Sequence, residues 1–388
     1  MKINAIPVIL FSALMLGACS DKIVKDPPHE LTTYPEKFSF EDSGSIDVGS
    51  GDGDTYLQFQ PALITTDDEV LIYATDYKGR VTATQWNNGV KRLWRERPDD
   101  IDVTGGIGAG SGIVLVGTQK GQVVALSQSE GEEIWRTYLS SDILSAPQSA
   151  DNVVAVLTED SRVYGLDAET GAIIWEYKHT APLLQLRGSA PVIIDDGIVY
   201  VGFANGFVCA LDLKTGRLLW QQAVSYPRGR SEIDRVVDVN GRMAIYDDIL
   251  YAVNYQGRVV AIDVRLQRLL WEKEFSSYAG LSVNNDAVFI TDDESIVWAL
   301  NRKTGDTLWQ QDELLYRELT APTVFFDMIA VGDYEGYIHL ISADNGQLLG
   351  RVQVGSDPIH TPPITQSNHI FVLSSDGDLT RLTPVPRS

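Results

Sequence analysis

Cysteine and histidine are scarce in this chain, and their scarcity excludes several classes of protein at once. Two cysteines, Cys19 and Cys209, cannot supply a disulfide framework for a chain of 388 residues. The five histidines (His29, His179, His339, His360 and His369) form no His-x-x-x-His or His-x-His pair, and no cysteine sits beside them. No transition-metal site is expected. Asp52-Gly53-Asp54 opens like a calcium loop. It then has Leu57 and Leu63 where that loop needs glycine and glutamate, so it reads as a solvated loop. Basic residues are also few. Lys and Arg number 31 against 53 Asp and Glu, a net charge of −22. Such a surface repels nucleic acid, and no Lys/Arg cluster interleaved with aromatics offsets it. There is no G-x-S-x-G elbow. Gly105–Gly112 is glycine-rich but has neither dinucleotide nor Walker spacing, and reads as the inner strand and turn of a sheet. No helical period appears beyond the extreme N-terminus. No cofactor is expected.

What is present is a repeat. Trp94, Trp135, Trp175, Trp220, Trp271 and Trp309 close similar phrases, spaced 41, 40, 45, 51 and 38 residues apart. The cleanest copy runs from Ala210-Leu211-Asp212 through Thr215-Gly216 to Trp220, and Gly165 to Trp175 and Ala299 to Trp309 are close to it. A period of about 40–45 residues is that of propeller blades, one four-stranded sheet per repeat. Short runs such as Val192-Ile193-Ile194 and Ile198-Val199-Tyr200-Val201, broken by Asp-Gly or Asn-Gly turns, read as strands buried on both faces.

A turn residue upstream of each phrase recurs eight times, at Gly79, Gly121, Ser161, Gly206, Gly257, Ser295, Gly336 and Gly377. The seventh repeat has Leu349-Gly350 in place of the tryptophan, and the eighth stops at Leu382 after its third strand. The missing strand must come from elsewhere or leave an edge open. Residues 36–41 alternate polar and apolar and are the natural donor. The expected fold is therefore all-β: an eight-bladed propeller over 36–388, its ring closed by the N-terminal strand.

Residues 1–18 read as a secretory signal, with Lys2 followed by an apolar stretch from Ile6 to Leu16 that is too short to span a bilayer. Leu16-Gly17-Ala18-Cys19 resembles a bacterial lipobox, which implies lipidation of Cys19. Ser20 rather than Asp follows it, which by analogy implies sorting to the outer membrane. Residues 19–35 are expected to form a flexible tether. Cys209 then has no partner and reads as a buried, inert thiol.

If the blades are scaffold, function lies where the period breaks. The distance from each tryptophan to the acid opening the next second strand is 16 at Trp135, 15 at Trp271 and 18 at Trp309. It rises to 21 at Trp175 and 28 at Trp220. Both enlarged connections join an outer strand to the next inner strand, so both are expected on one face as one surface. The first holds Leu183, Leu184, Leu186 and Arg187. The second, from Tyr226 to Asp238, mixes Arg228, Arg230, Glu232, Asp234 and Arg235 with a few apolar residues, like an interface rim.

The tryptophan phrase is close to the docking motif of quinoprotein alcohol dehydrogenases, which hold pyrroloquinoline quinone at the axis of an eight-bladed propeller. This chain lacks their adjacent cysteine pair and their insertions, which leaves quinone-dependent oxidation as the alternative. The whole chain resembles the BamB family, the propeller lipoproteins of the machine that assembles outer-membrane β-barrels. The resemblance rests on Leu184-x-Leu186-Arg187-Gly188-Ser189-Ala190-Pro191, Ser231-Glu232-Ile233-Asp234-Arg235 with Asp238, Leu314-Leu315-Tyr316-Arg317 with Thr320-x-Pro322, and Gly332-Asp333-x-Glu335-Gly336-Tyr337. It implies a non-enzymatic scaffold on the periplasmic side of the outer membrane. It also implies a partner, the POTRA domains of the barrel subunit BamA, with unfolded outer-membrane proteins as further clients. Carried over by position, it implicates Leu184, Leu186, Arg187 and Asp238, with Glu232, Asp234 and Arg235 in the same acidic loop. Asn240 stands where the family often has a second acid.

Overall fold

The computed structural model describes residues 27–53, 58–66, 69–182, 184, 190–226, 236–239 and 241–387. Eight four-stranded antiparallel sheets make a closed ring, and no helix occurs among the described residues. Seven blades are continuous in sequence, spanning 62–96, 103–138, 148–178, 193–223, 244–275, 280–311 and 323–353. Within each, the chain steps outward from the axis strand by strand. The second strands Ile113–Thr118, Val153–Thr158 and Met328–Gly332 are buried at every position, because neighbouring sheets cover both of their faces. Outer strands alternate instead, as Arg268–Phe275 does residue by residue, since one face meets solvent. The glycine-rich stretch is the inner strand Val103–Gly110, as its spacing implied.

The repeated phrase is a docking device. Asp212 closes its turn by accepting hydrogen bonds from Thr215 N (2.9 Å) and Thr215 Oγ1 (2.7 Å), and Asp167 does the same for Thr170. Those threonine bonds hold both carboxyls below the usual aspartate range. The glycine that ends the turn takes a left-handed φ, +67° at Gly216. The tryptophan of the preceding blade lies on that glycine: a Cβ added to Gly131, Gly171, Gly216, Gly305 or Gly346 would come within 2.5–2.7 Å of the ring or its neighbour. Each indole N–H then donates to a carbonyl of the next blade. Trp94 reaches Gln128, Trp135 reaches Ala168, Trp175 reaches Leu213, Trp271 reaches Arg302 and Trp309 reaches Ala343, all at 2.8–2.9 Å. The fifth blade departs from the pattern. Gln267 takes the left-handed conformation that glycine takes at this position in its neighbours, and in the earlier turn the left-handed residue is Gln256, one place before Gly257.

Ring closure follows the expected route. Strand Phe38–Asp47 pairs antiparallel with Asp378–Pro386, placing Phe38 opposite Pro386 and Asp47 opposite Asp378. The third strand of that blade thus runs past Leu382, where the repeat suggested it would stop. Gly350 replaces a tryptophan for a geometric reason. The eighth blade's outer strand arrives from the other end of the chain, so there is no hairpin turn for a ring to dock on. A Cβ at Gly350 would instead meet the Phe38 carbonyl oxygen at 2.6 Å.

Two expectations need correction. Asp52 is not in a solvated loop; it is buried, with Oδ2 2.5 Å from His360 Nδ1 across the closing seam. The tether expected over 19–35 also ends earlier, because residues from His29 onward are fastened to the ring. His29 N donates to Leu315 O (3.0 Å), Arg351 Nη1 to Thr32 O (2.9 Å) and Lys37 N to Leu349 O (2.7 Å). Leu31 and Tyr34 pack on the core of the sixth and seventh blades. Their apolar surface and the unused carbonyls of the seventh blade's rim account for the docking. Arg317 locks this strap. Its Nη1 donates to His29 O (3.0 Å), its Nε to Asp333 Oδ2 (2.8 Å) and its Nη2 to Glu335, with the guanidinium 5.0 Å over Tyr334.

Candidate interaction surface

The two enlarged connections have roots that meet. Strand Ile173–Lys178 alternates so that Tyr177 and His179 share a face, and both rings lie against Phe203, His179 at 4.5 Å. Phe203 and Phe207 flank the Asn205-Gly206 turn of the fourth blade. Asn205 Nδ2 donates to Thr180 O (3.1 Å), fastening the start of the first insertion. Val224 N donates to Gly206 O (2.8 Å), and Tyr226 meets Phe207 edge to face at 6.2 Å, fastening the start of the second. One hairpin therefore carries both. Burial in this cluster pushes the His179 imidazole below its ordinary range, while Asn205 opposes the shift.

The surface above the cluster exposes apolar side chains. Leu184 is 44% and Tyr226 61% exposed. Tyr138 and Tyr278 are also exposed, and both lie at connections from an outer to an inner strand. In an up-and-down blade these connections share one face, so Tyr138, Leu184, Tyr226 and Tyr278 stand on consecutive blades of that face. The aromatic cluster was not singled out from the sequence. Its signals were the Tyr177-x-His179 alternation and the two phenylalanines bracketing a turn.

The far limb of the second insertion descends into the core. Val236, Val237 and Val239 are buried, Asn254 Nδ2 donates to Val237 O (3.1 Å) and Tyr255 N donates to Asp238 O (3.3 Å). Asp238 is itself fully buried. Implicated by the resemblance, Asp238 at 0% exposure presents no surface for direct contact with a partner. Leu186, Arg187, Glu232, Asp234 and Arg235 lie outside the described residues, as does Cys19. The sixth docking tryptophan, Trp220, packs against Tyr200 at 5.9 Å.

Other residues marked by the sequence serve structure. His339 is buried with Nε2 2.9 Å from Asp333 Oδ2. Cys209 is buried beside Tyr177, and burial pushes its thiol up to about 12, which leaves it inert at neutral pH.

A family model described as outer membrane protein assembly factor BamB matches residues 77–311, more than half of the chain. The chain belongs to the BamB family. The BamB assembly factor of Pseudomonas aeruginosa is 40% identical over 379 residues, covering 97% of each chain. That of Shewanella oneidensis is 33% identical over 385 residues, covering 96% of each. The crystal structure of BamB from Moraxella catarrhalis superposes with a TM-score of 0.79 at 29% identity, over 89% of this chain and 100% of that one. A quinohemoprotein alcohol dehydrogenase from Comamonas testosteroni shares the ring with a TM-score of 0.69 at 13% identity. That likeness extends to the fold alone, and the quinoprotein alternative gains nothing from it. Membership in BamB makes this chain an outer membrane protein assembly factor.

Proposed function

We propose that the protein is a non-enzymatic scaffold of the Bam complex, lipid-anchored through Cys19 on the periplasmic side of the outer membrane. Its enlarged connections grip the POTRA domains of BamA, and through that grip it assists folding and insertion of β-barrel clients. The observation that carries this reading is the convergence of both insertions on the Phe203–Phe207 hairpin, beneath exposed Leu184 and Tyr226. A rigid base under apolar loop residues is how protein interfaces hold their anchors. Leu184 and Leu186 supply apolar contacts, and Arg187 a charge-assisted hydrogen bond. Glu232, Asp234 and Arg235 form a charged rim, and Asp238 braces it from below. The net charge of −22 favours a partner surface with basic patches.

The test is affinity capture from solubilised membranes. Leu186→Ala combined with Arg187→Ala is expected to abolish recovery of BamA while leaving the melting temperature unchanged. Undiminished recovery rejects this interface.

A further inference from the structure

The axis of the ring is open. A channel of about 810 Å³ runs along it, walled by the inner strands of all eight blades. The wall is of mixed polarity: Gln58, Gln60, Gln148 and Thr365 share it with Val192, Ile194, Leu281 and Val283. Arg242 is the one charged side chain on it among the described residues.

The backbone around Arg242 is tightly held. Arg242 forms a parallel bridge with Gly280, and its carbonyl accepts from Leu281 N (3.1 Å). Gly280, at φ +109°, permits the approach; a Cβ there would sit 2.3 Å from Arg242 N. The guanidinium takes no part in this. Its Nη1 is buried without a hydrogen-bond partner. Burial holds it below the usual arginine range, and among the described residues no acidic neighbour opposes that shift. Ser282, two residues beyond Gly280 on the same wall, also buries its Oγ without a partner. Arg242 as a whole is only partly buried, but its unpaired Nη1 costs stability, as any buried polar atom without a partner does. No role in the fold accounts for the Arg242 charge.

We propose that Arg242 and Ser282 form a binding site in the axial channel for a monocarboxylate with an apolar body. A guanidinium offers two parallel donors that match the two oxygens of a carboxylate. One cation balances one negative charge, whereas a phosphate dianion would enter the channel half neutralised. Val192, Ile194, Leu281 and Val283 offer a short hydrocarbon body apolar contacts within this mixed wall, and the volume falls in the range of small-molecule sites, roughly 300–1,000 Å³. The site is independent of the BamA-binding reading, because it uses the hub of the ring rather than the loops at its face.

The experiment is titration calorimetry on the whole folded chain with four probes: hexanoate, hexanol, hexylammonium and inorganic phosphate. Hexanoate is expected to bind at one site, with the other three at least about tenfold weaker, the scale of one charge-assisted contact. Arg242→Met should weaken hexanoate by a similar factor while melting no lower than the parent protein. Equal affinity for hexanol or hexylammonium overturns the role of the charge. Equal affinity for phosphate overturns the monocarboxylate assignment. A lower melting temperature for Arg242→Met overturns the claim that the guanidinium is not structural, and no hexanoate binding overturns the site.

Discussion

Replacing Arg317 by alanine tests the strap and the network behind it together. Arg317 and Asp333 are both buried, and the arginine spends its three nitrogens on Asp333, Glu335 and the His29 carbonyl. Removing it leaves the Asp333 carboxylate buried, but not bare. His339 and the backbone N–H groups of Glu335 and Tyr337 still hold it, at 2.9–3.0 Å. Breaking one side of a buried ion pair costs about 3–5 kcal/mol. The three surviving donors place the expected loss at the lower end, about 3 kcal/mol. The strap loses its bond to Arg317 but keeps the packing of Leu31 and Tyr34, so it loosens without the ring opening. Urea denaturation followed by tryptophan fluorescence measures the first effect. Hydrogen exchange at residues 29–34 measures the second, as faster exchange confined to the strap. Arg317→Lys should fall between, because it keeps the charge and loses the fork. A loss below about 1 kcal/mol, or unchanged exchange at the strap, refutes the idea that this network is the lock.

Three further outcomes follow from the same geometry. Trp175→Phe removes the N–H bond to Leu213 O (2.8 Å) and should cost about 2 kcal/mol, read as a lower denaturation midpoint with unchanged slope. Gln267→Gly relieves a left-handed glutamine (φ +54°) at a site where other blades use glycine, and should raise stability by up to about 1 kcal/mol; a loss contradicts the strain argument. Burial depresses the His339 imidazole below its ordinary value of 6.5. The folded state therefore binds fewer protons there than the unfolded chain once the pH falls below 6.5, so stability is present above that pH and declines below it. His339 contributes a slope of up to about 1.4 kcal/mol per pH unit, which His339→Gln should remove from a melting series between pH 7 and 5.

Much of this protein was legible from local pattern. The tryptophan phrase announced the blades because the contact it encodes is between adjacent repeats and reuses the same few atoms each time. The closing strand was legible because an eighth repeat lacking its outer strand leaves an edge that must be paired, and 36–41 alternated correctly. The candidate surface was legible only as length. Counting residues between tryptophans located the two insertions, but not the aromatic cluster that roots them, since Tyr177, His179, Phe203, Phe207 and Tyr226 come from separate elements.

Sequence alone determined the repeat, the number of blades and the acidic surface, because each depends on composition or on contacts between near neighbours in the chain. Tertiary structure decided what depends on residues far apart. It moved Asp52 out of solvent and against His360, 308 positions away. It bound residues 29–35 to the rim of the seventh blade, where chain order suggested a free tether. It buried Asp238, and it left Arg242 on the axial wall with no acid to pair with among the described residues. Burial and partnership are set by closure of the ring, and no window of neighbouring residues contains that information.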